Sequence, residues 1–450
     1  MTTEVVVAEV VSPPPVQPAP MPQPPHFSQP QLWSHWVFLP FKMFHFVSEW
    51  MFGLACLIVG VGYIATIPLI QFVALGYLLD VSGQIALTGR LSAGFQHVRL
   101  AARIGSVVAG TWLTLLLPNL ISDLTYTASI IDPNSGVTVA WNIARIVIDC
   151  MAAVHVVSAW SSGGRLRDFL WPLWLFPLGC IYLFRGLCRA TIGQSMQPVA
   201  AQRSWLLAGN YRLPTPEQWF PPLRVLQQIV NGEFYQRSRD AVWNLVAVEF
   251  QPITYLWVGA LASLGTFMWL GIPVSLMMAG TLVETPLGVL CGWLGALFLS
   301  IVLLYLPFLQ VHFVCEQRFG AFFEVLRVRQ HFRRAPIAFL IALFCTLTFA
   351  IPLYLLKIEL TPREVTWLPS VPFVAFMLAA KVVTGWAMSR AYRRHTPRLF
   401  LFRWFARFAA WPITLFYVLI VFLSQYFAWY GVWQLLEQHA FLVPAPFMGR

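Results

Sequence analysis

Long apolar runs alternate with short polar stretches along most of this chain. Eight of the runs approach or exceed the roughly 20 residues that a helix needs to cross the hydrocarbon of a bilayer. Helices satisfy their own backbone hydrogen bonds there, which irregular chain cannot do. The pattern predicts an all-α polytopic transmembrane bundle of about eight spans. The predicted spans are 51–79, 104–122, 141–161, 252–280, 286–314, 336–356, 371–389 and 408–430.

Several stretches outside these runs have a distinct composition. Residues 1–31 hold nine prolines and little charge, which predicts a disordered tail. Residues 32–50 begin with an aromatic stretch too short to span, which suits the headgroup layer. The apolar stretch 169–184 contains two prolines and has arginines on both sides, so we expect an interfacial or re-entrant segment. The predicted organisation is a tail (1–31), an interfacial segment (32–50), the first transmembrane helices (51–161), a cytoplasmic or interfacial amphipathic insertion (162–247), five further transmembrane helices (248–430) and a C-terminal tail (431–450).

The composition and the placement of charge support the same prediction. The chain is 58% apolar and 10% charged, whereas soluble domains hold about 25% charged residues. Of the 29 Lys and Arg residues, 23 lie in four patches between spans, which argues against nucleic acid as the reason for the charge of +11. With eight spans, all four patches face one side, and the positive-inside rule makes that side cytoplasmic. We therefore expect both termini to be non-cytoplasmic. The patches are 80–103, 162–247, 315–335 and 390–407.

Short motifs recur in the two halves of the chain. Ile67–Gln71 in the first span resembles Leu306–Gln310 in the fifth, and Pro118 and Pro352 occupy similar places in the spans that follow. These pairs favour a 4+4 parallel repeat, an arrangement in which some transporters hold a substrate between the halves. The spacing of Gly288, Gly292 and Gly295 predicts close helix packing.

A charge inside a span is costly, so ionisable residues within the predicted spans are functional candidates by default. Arg145 and Asp149 are four residues apart on one face of the third span, His155 follows on the same helix, and Lys381 lies midway along the seventh. One interpretation is a polar path or binding site between the halves. The alternative is an internal Arg145–Asp149 ion pair and a snorkelling or paired lysine.

The sequence carries none of the common enzyme signatures, and we expect no cofactor and no metal. The seven cysteines form no C-x-x-C pair and suit small core positions. Expected partners are the lipid bilayer and anionic headgroups at the basic side. The leading hypothesis is a permease-like or transport-associated protein. The alternatives are a membrane scaffold that binds partners through its basic side and tail, and a lipid-modifying enzyme that uses 169–184.

Three stretches carry a family resemblance. Ile67–Leu79, Ile351–Glu359 and Gln438–Phe447 together resemble a family of bacterial multi-pass membrane proteins, a domain of unknown function with an I-P-x-x…G-Y-L-L core. The resemblance implies a polytopic inner-membrane protein. It supplies no activity and no functional residues.

Overall fold

A computed structural model describes most of the predicted spans. The described residues are 32–170, 221–283, 285–356, 367–427, 431–433, 435 and 441–442. Every regular element within them is a helix. The tail 1–31 and all but the first two residues of 169–184 lie outside the described residues.

The described helices confirm a polytopic α-helical architecture. Seven are long and apolar enough to cross a membrane, or eight if the bent pair α10–α11 counts as one span. The helices are α1 (Leu32–Ala65), α2 (Gln71–Thr88), α3 (Val98–Ile131), α4 (Gly136–Ser161), α5 (Leu166–Phe169), α6 (Pro221–Val230), α7 (Phe234–Trp243), α8 (Pro252–Leu282), α9 (Pro286–Glu316), α10 (Val325–Arg334), α11 (Pro336–Leu356), α12 (Ser370–Tyr392) and α13 (Phe400–Phe427).

The first predicted span, 51–79, differs from the structure. It is not one continuous helix, because α1 ends at Ala65 and α2 begins at Gln71. Pro68 lies in the break, where it has no N–H to donate, and Leu69 has a φ of 67°. A positive φ at a leucine is unusual for an L-residue and reverses the chain locally. The Ile67–Gln71 motif, placed inside the first predicted span, therefore marks a turn.

The helices on the two sides of this turn run antiparallel. The ring centroids of Trp50 and Phe95 are 5.6 Å apart. A Cβ at the neighbouring Gly94 would lie 2.7 Å from Cδ1 of Ile85. Trp50 is therefore close to Ile85, whereas one unbroken helix would hold these two residues about 50 Å apart.

Helix α2 is the most enclosed element of the described bundle. Twelve of its 18 residues are buried, and it packs against α8, α9 and α12. Glycines allow this approach. Gly76 meets the Tyr255 backbone, and a Cβ at Gly385 would lie 2.5 Å from the Ser82 carbonyl oxygen. Small residues let helix backbones come this close in membrane proteins.

The predicted glycine packing between neighbouring spans is confirmed. A Cβ at Gly292 would lie 3.5 Å from the Cα of Gly280, and one at Gly295 would lie 2.6 Å from the Met277 nitrogen. Helices α8 and α9 are therefore in close backbone contact along these positions.

Arginines gather where several helices end. The Arg393 guanidinium donates to the carbonyl of Thr88, the last residue of α2, over 2.9 Å. A cation at a helix C-terminus complements the partial negative charge of the exposed carbonyls. The backbone N–H of Arg398 donates to the Arg333 carbonyl over 3.0 Å and joins the start of α13 to the end of α10. We name this surface the basic face, formed by Arg318, Arg327, Arg333, Arg334, Arg390, Arg393, Arg394 and Arg398.

The glycine contacts of α2 lead to a stability prediction. Gly76→Ala places a methyl group against the Tyr255 backbone, and overpacking of this kind costs about 1–3 kcal/mol. We expect a lower melting temperature for this variant in detergent. Gly60→Ala is the matched control, because a Cβ at Gly60 meets nothing within 4 Å. Equal melting temperatures for the two variants would contradict the described contact.

Candidate functional site

Lys381 is the fully buried ionisable residue of α12. Its side chain is 1% exposed, and its Nζ donates a hydrogen bond of 2.6 Å to Oε1 of Gln310. Among the described residues, no carboxylate lies within ion-pair distance of Lys381. An ammonium group has three donors, and within the described part of the chain this one has a single, neutral partner.

Gln310 links this amine to two other parts of the chain. Its Nε2 donates to Oγ1 of Thr266 over 2.8 Å and to the Phe441 carbonyl over 3.0 Å. A carbonyl can only accept, so the amide must direct its nitrogen toward Phe441 and its oxygen toward Lys381. Ser263 adds a bond of 3.1 Å to the Leu442 carbonyl. The network therefore joins α8, α9, α12 and the chain at 441–442.

Local sequence explains how these groups come to face one another. Gln310 follows Pro307 inside α9, and a proline within a helix removes one backbone hydrogen bond and bends the axis. Lys381 lies one turn before Thr384, whose hydroxyl donates back to the Lys381 carbonyl over 3.0 Å. Gly385 then allows α12 to approach α2. The polar groups are thus held between tightly packed helices.

The other three predicted site residues lie on α4. Arg145 and Asp149 are both exposed, and the structure contains no ion pair between them, so the predicted internal pair is not formed. His155 is half-buried, with its Nε2 2.9 Å from the Phe169 carbonyl oxygen, to which it donates.

These residues and Lys381 fall in two packing groups. Helix α4 packs mainly on α3, α5 and α6, whereas α12 packs mainly on α2 and α11. Lys381 is the predicted residue that lies in a described polar network of the bundle interior. Sequence reasoning missed Thr266 and Phe441 as partners. It noted Gln310 only as part of a repeated motif, although an amide inside an apolar run was itself a signal.

A second polar cluster lies at the basic face. The buried His312 donates from Nε2 to Oε2 of Glu324 over 2.8 Å. Arg318 and Arg327 contact the same carboxylate at 2.6 and 3.1 Å. The His312 hydrogen bond, helped by the two guanidinium charges, holds the pKa of Glu324 below its ordinary value. This cluster ties the end of α9 to the start of α10.

The described residues contain no group of three or more His, Cys, Asp or Glu side chains that could hold a metal ion. Comparison with protein families, curated proteins and solved structures finds no match for the chain. The resemblance to a family of bacterial multi-pass membrane proteins therefore stays a prediction.

The Glu324 cluster leads to a pH prediction. A carboxyl group whose folded pKa is lowered stabilises the fold above its ordinary pKa, and this contribution is lost as the pH falls through the folded value. We expect Glu324→Gln to melt below the wild type at pH 7. The difference should shrink once the pH falls below the ordinary glutamate value, about 4.3.

Glu316→Gln is the control for this series, because Glu316 is more exposed than Glu324 and its contact with Arg318 is longer, at 3.6 Å. A melting difference for Glu324→Gln that stays constant from neutral to acid pH would show that the carboxylate charge is not what stabilises this cluster.

Proposed function

We propose that this integral membrane protein is permease-like or transport-associated, with Lys381 as its central polar site. One observation carries the proposal: the Lys381 amine is buried in the middle of an apolar helix, and its partner among the described residues is the neutral Gln310. Burying an ammonium without a counter-charge is unfavourable, so such a group is retained where function requires it. An anionic group entering the bundle would supply the missing charge.

The site is closed in the described conformation. Lys381 is 1% exposed, and Phe441 on the far side of Gln310 is also fully buried. Access therefore requires movement of a packed element. Residues 441–442 are the natural candidate, because carbonyl oxygens of this segment are bonded to Gln310 and Ser263. Their release would free the Gln310 amide for a substrate.

The orientation proposed for the chain combines charge and helix direction. The basic face would contact the cytoplasm of a bacterial cell, following the positive-inside rule. The antiparallel α1 and α2 favour a position for Trp50 on the same side as this face. That differs from the sequence-based expectation of two non-cytoplasmic termini, which assumed one span over 51–79. The 4+4 parallel repeat stays a prediction.

A membrane scaffold is the second candidate, and the closed packing around Lys381 favours it. A lysine that never meets solvent can serve to fix the register of α9 against α12 through Gln310. In that case the exposed basic face would carry the function by binding partners.

Transport by Lys381 is tested in proteoliposomes with chloride, inorganic phosphate and succinate as anion probes. We expect flux of at least one probe above that of protein-free liposomes. Lys381→Met, which keeps the length and removes the charge, should abolish it. Asp149→Asn removes a charge from α4 and should leave flux within about twofold, because Asp149 belongs to the other packing group.

Size-exclusion profiles and melting temperatures establish that the variants fold. Wild-type rates no higher than those of empty liposomes for all three probes, or full flux by a folded Lys381→Met variant, would remove the transport proposal. A folded Lys381→Met variant that keeps wild-type flux but has a lower melting temperature would support the scaffold.

A further inference from the structure

A groove at the basic face combines positive charge with an apolar wall. It lies between the start of α11, the end of α12 and the start of α13, and it encloses about 290 Å³. Arg390, Arg394 and Arg398 line it, and its apolar lining includes Trp386, Ile341 and Phe402. Its size is at the lower end of small-molecule sites, which run from about 300 to 1,000 Å³.

No described carboxylate compensates the charge of the three guanidinium groups. None of them lies within ion-pair distance of a described carboxylate, whereas Glu324 on the same face is already bound by Arg318 and Arg327. The Arg390 guanidinium carbon is 5.1 Å from the centre of the Trp386 ring, a cation–π contact that holds it beside the groove. The site is therefore preorganised for an anion, and guanidinium geometry suits phosphate oxygens.

The backbone at the start of α11 adds donors to the same groove. The first N–H groups of a helix have no partner within the helix and attract anions. Ile337 and Ala338 supply such groups here and line the groove, while Pro336 has no N–H to leave unsatisfied. This helix end is a supplement to the three arginines.

The position of the groove favours a ligand that is both charged and apolar. Helices α10 and α11 meet at 113°, so the polar α10 does not continue along the axis of the apolar α11. Ile341 lies one turn further along α11 than Ile337 and is 44% exposed, as is Phe402 of α13. An apolar strip therefore continues from the arginines along the spanning helices, at the boundary between headgroups and hydrocarbon.

We propose that this groove binds one anionic phospholipid, with its phosphate held by Arg390, Arg394 and Arg398 and an acyl chain lying along Ile341 and Phe402. A soluble phosphate would contact the arginines but not the apolar strip. A zwitterionic lipid would bring its own positive charge toward three cations. Both should bind more weakly than a lipid with net negative charge. This proposal is independent of the transport role of Lys381.

The test is a titration of phosphatidylglycerol into the detergent-solubilised full-length protein, followed by native mass spectrometry. We expect one molecule to bind at least tenfold more tightly than phosphatidylcholine. Arg394→Gln should weaken that binding about tenfold, the loss typical of one charge-assisted hydrogen bond. Arg329→Gln is the matched control: Arg329 is an exposed arginine of α10 that does not line the groove, and its loss should change affinity less than twofold.

A second variant distinguishes binding of the lipid headgroup from binding of the acyl chain. Ile341→Trp leaves the three arginines in place and obstructs the apolar strip. It should therefore weaken the binding of phosphatidylglycerol but not that of glycerol phosphate. Equal losses of phosphatidylglycerol affinity in Arg394→Gln and Arg329→Gln would overturn the proposal, since they would indicate a diffuse attraction to the charged surface. Equal affinity for phosphatidylcholine would also overturn it, as would displacement of the lipid by millimolar inorganic phosphate, which indicates a site for a free anion.

Discussion

The burial of α2 by backbone contact is the constraint on which the described bundle depends. Gly76 and Gly259 bring α2 and α8 together, and Gly385 rests α12 on Ser82. These contacts leave no room for side chains, so they set the distances between the helix axes. Because α12 carries Lys381 and α9 carries Gln310, the same contacts determine where the buried amine can reach its amide.

The chain uses its charged groups in two different ways. In the bundle interior, the Lys381 amine is supported by neutral hydrogen-bonding groups, and its charge has no described counter-ion. At the basic face, arginines cap helix ends, pair with Glu324 or line a groove. We propose that the first arrangement binds a single anionic group and that the second contacts the anionic surface of a bilayer.

Much of the architecture was predictable because lipid imposes simple rules on sequence. Apolar run length gave the later spans, and the Gly292 and Gly295 spacing gave the close contact of α8 and α9. The reversal near Pro68 was not predictable, since an apolar run has the same composition whether the helix continues or the chain turns back. Nor was the network: Gln310 is 71 residues from Lys381 and 131 from Phe441, and neutral partners leave no charge pattern.

The most direct test of this account asks whether the chain turns back after Ala65. Trp50→Cys and Phe95→Cys, introduced together after replacement of the native cysteines by serine, are treated in membranes with a short bifunctional thiol reagent. The ring centroids of these residues are 5.6 Å apart, so we predict efficient intramolecular cross-linking. The pair Trp160→Cys and Thr111→Cys, whose side chains share a 3.0 Å hydrogen bond, is the positive control. Cross-linking of the control pair alone would contradict the antiparallel arrangement of α1 and α2, and with it the enclosed position of α2.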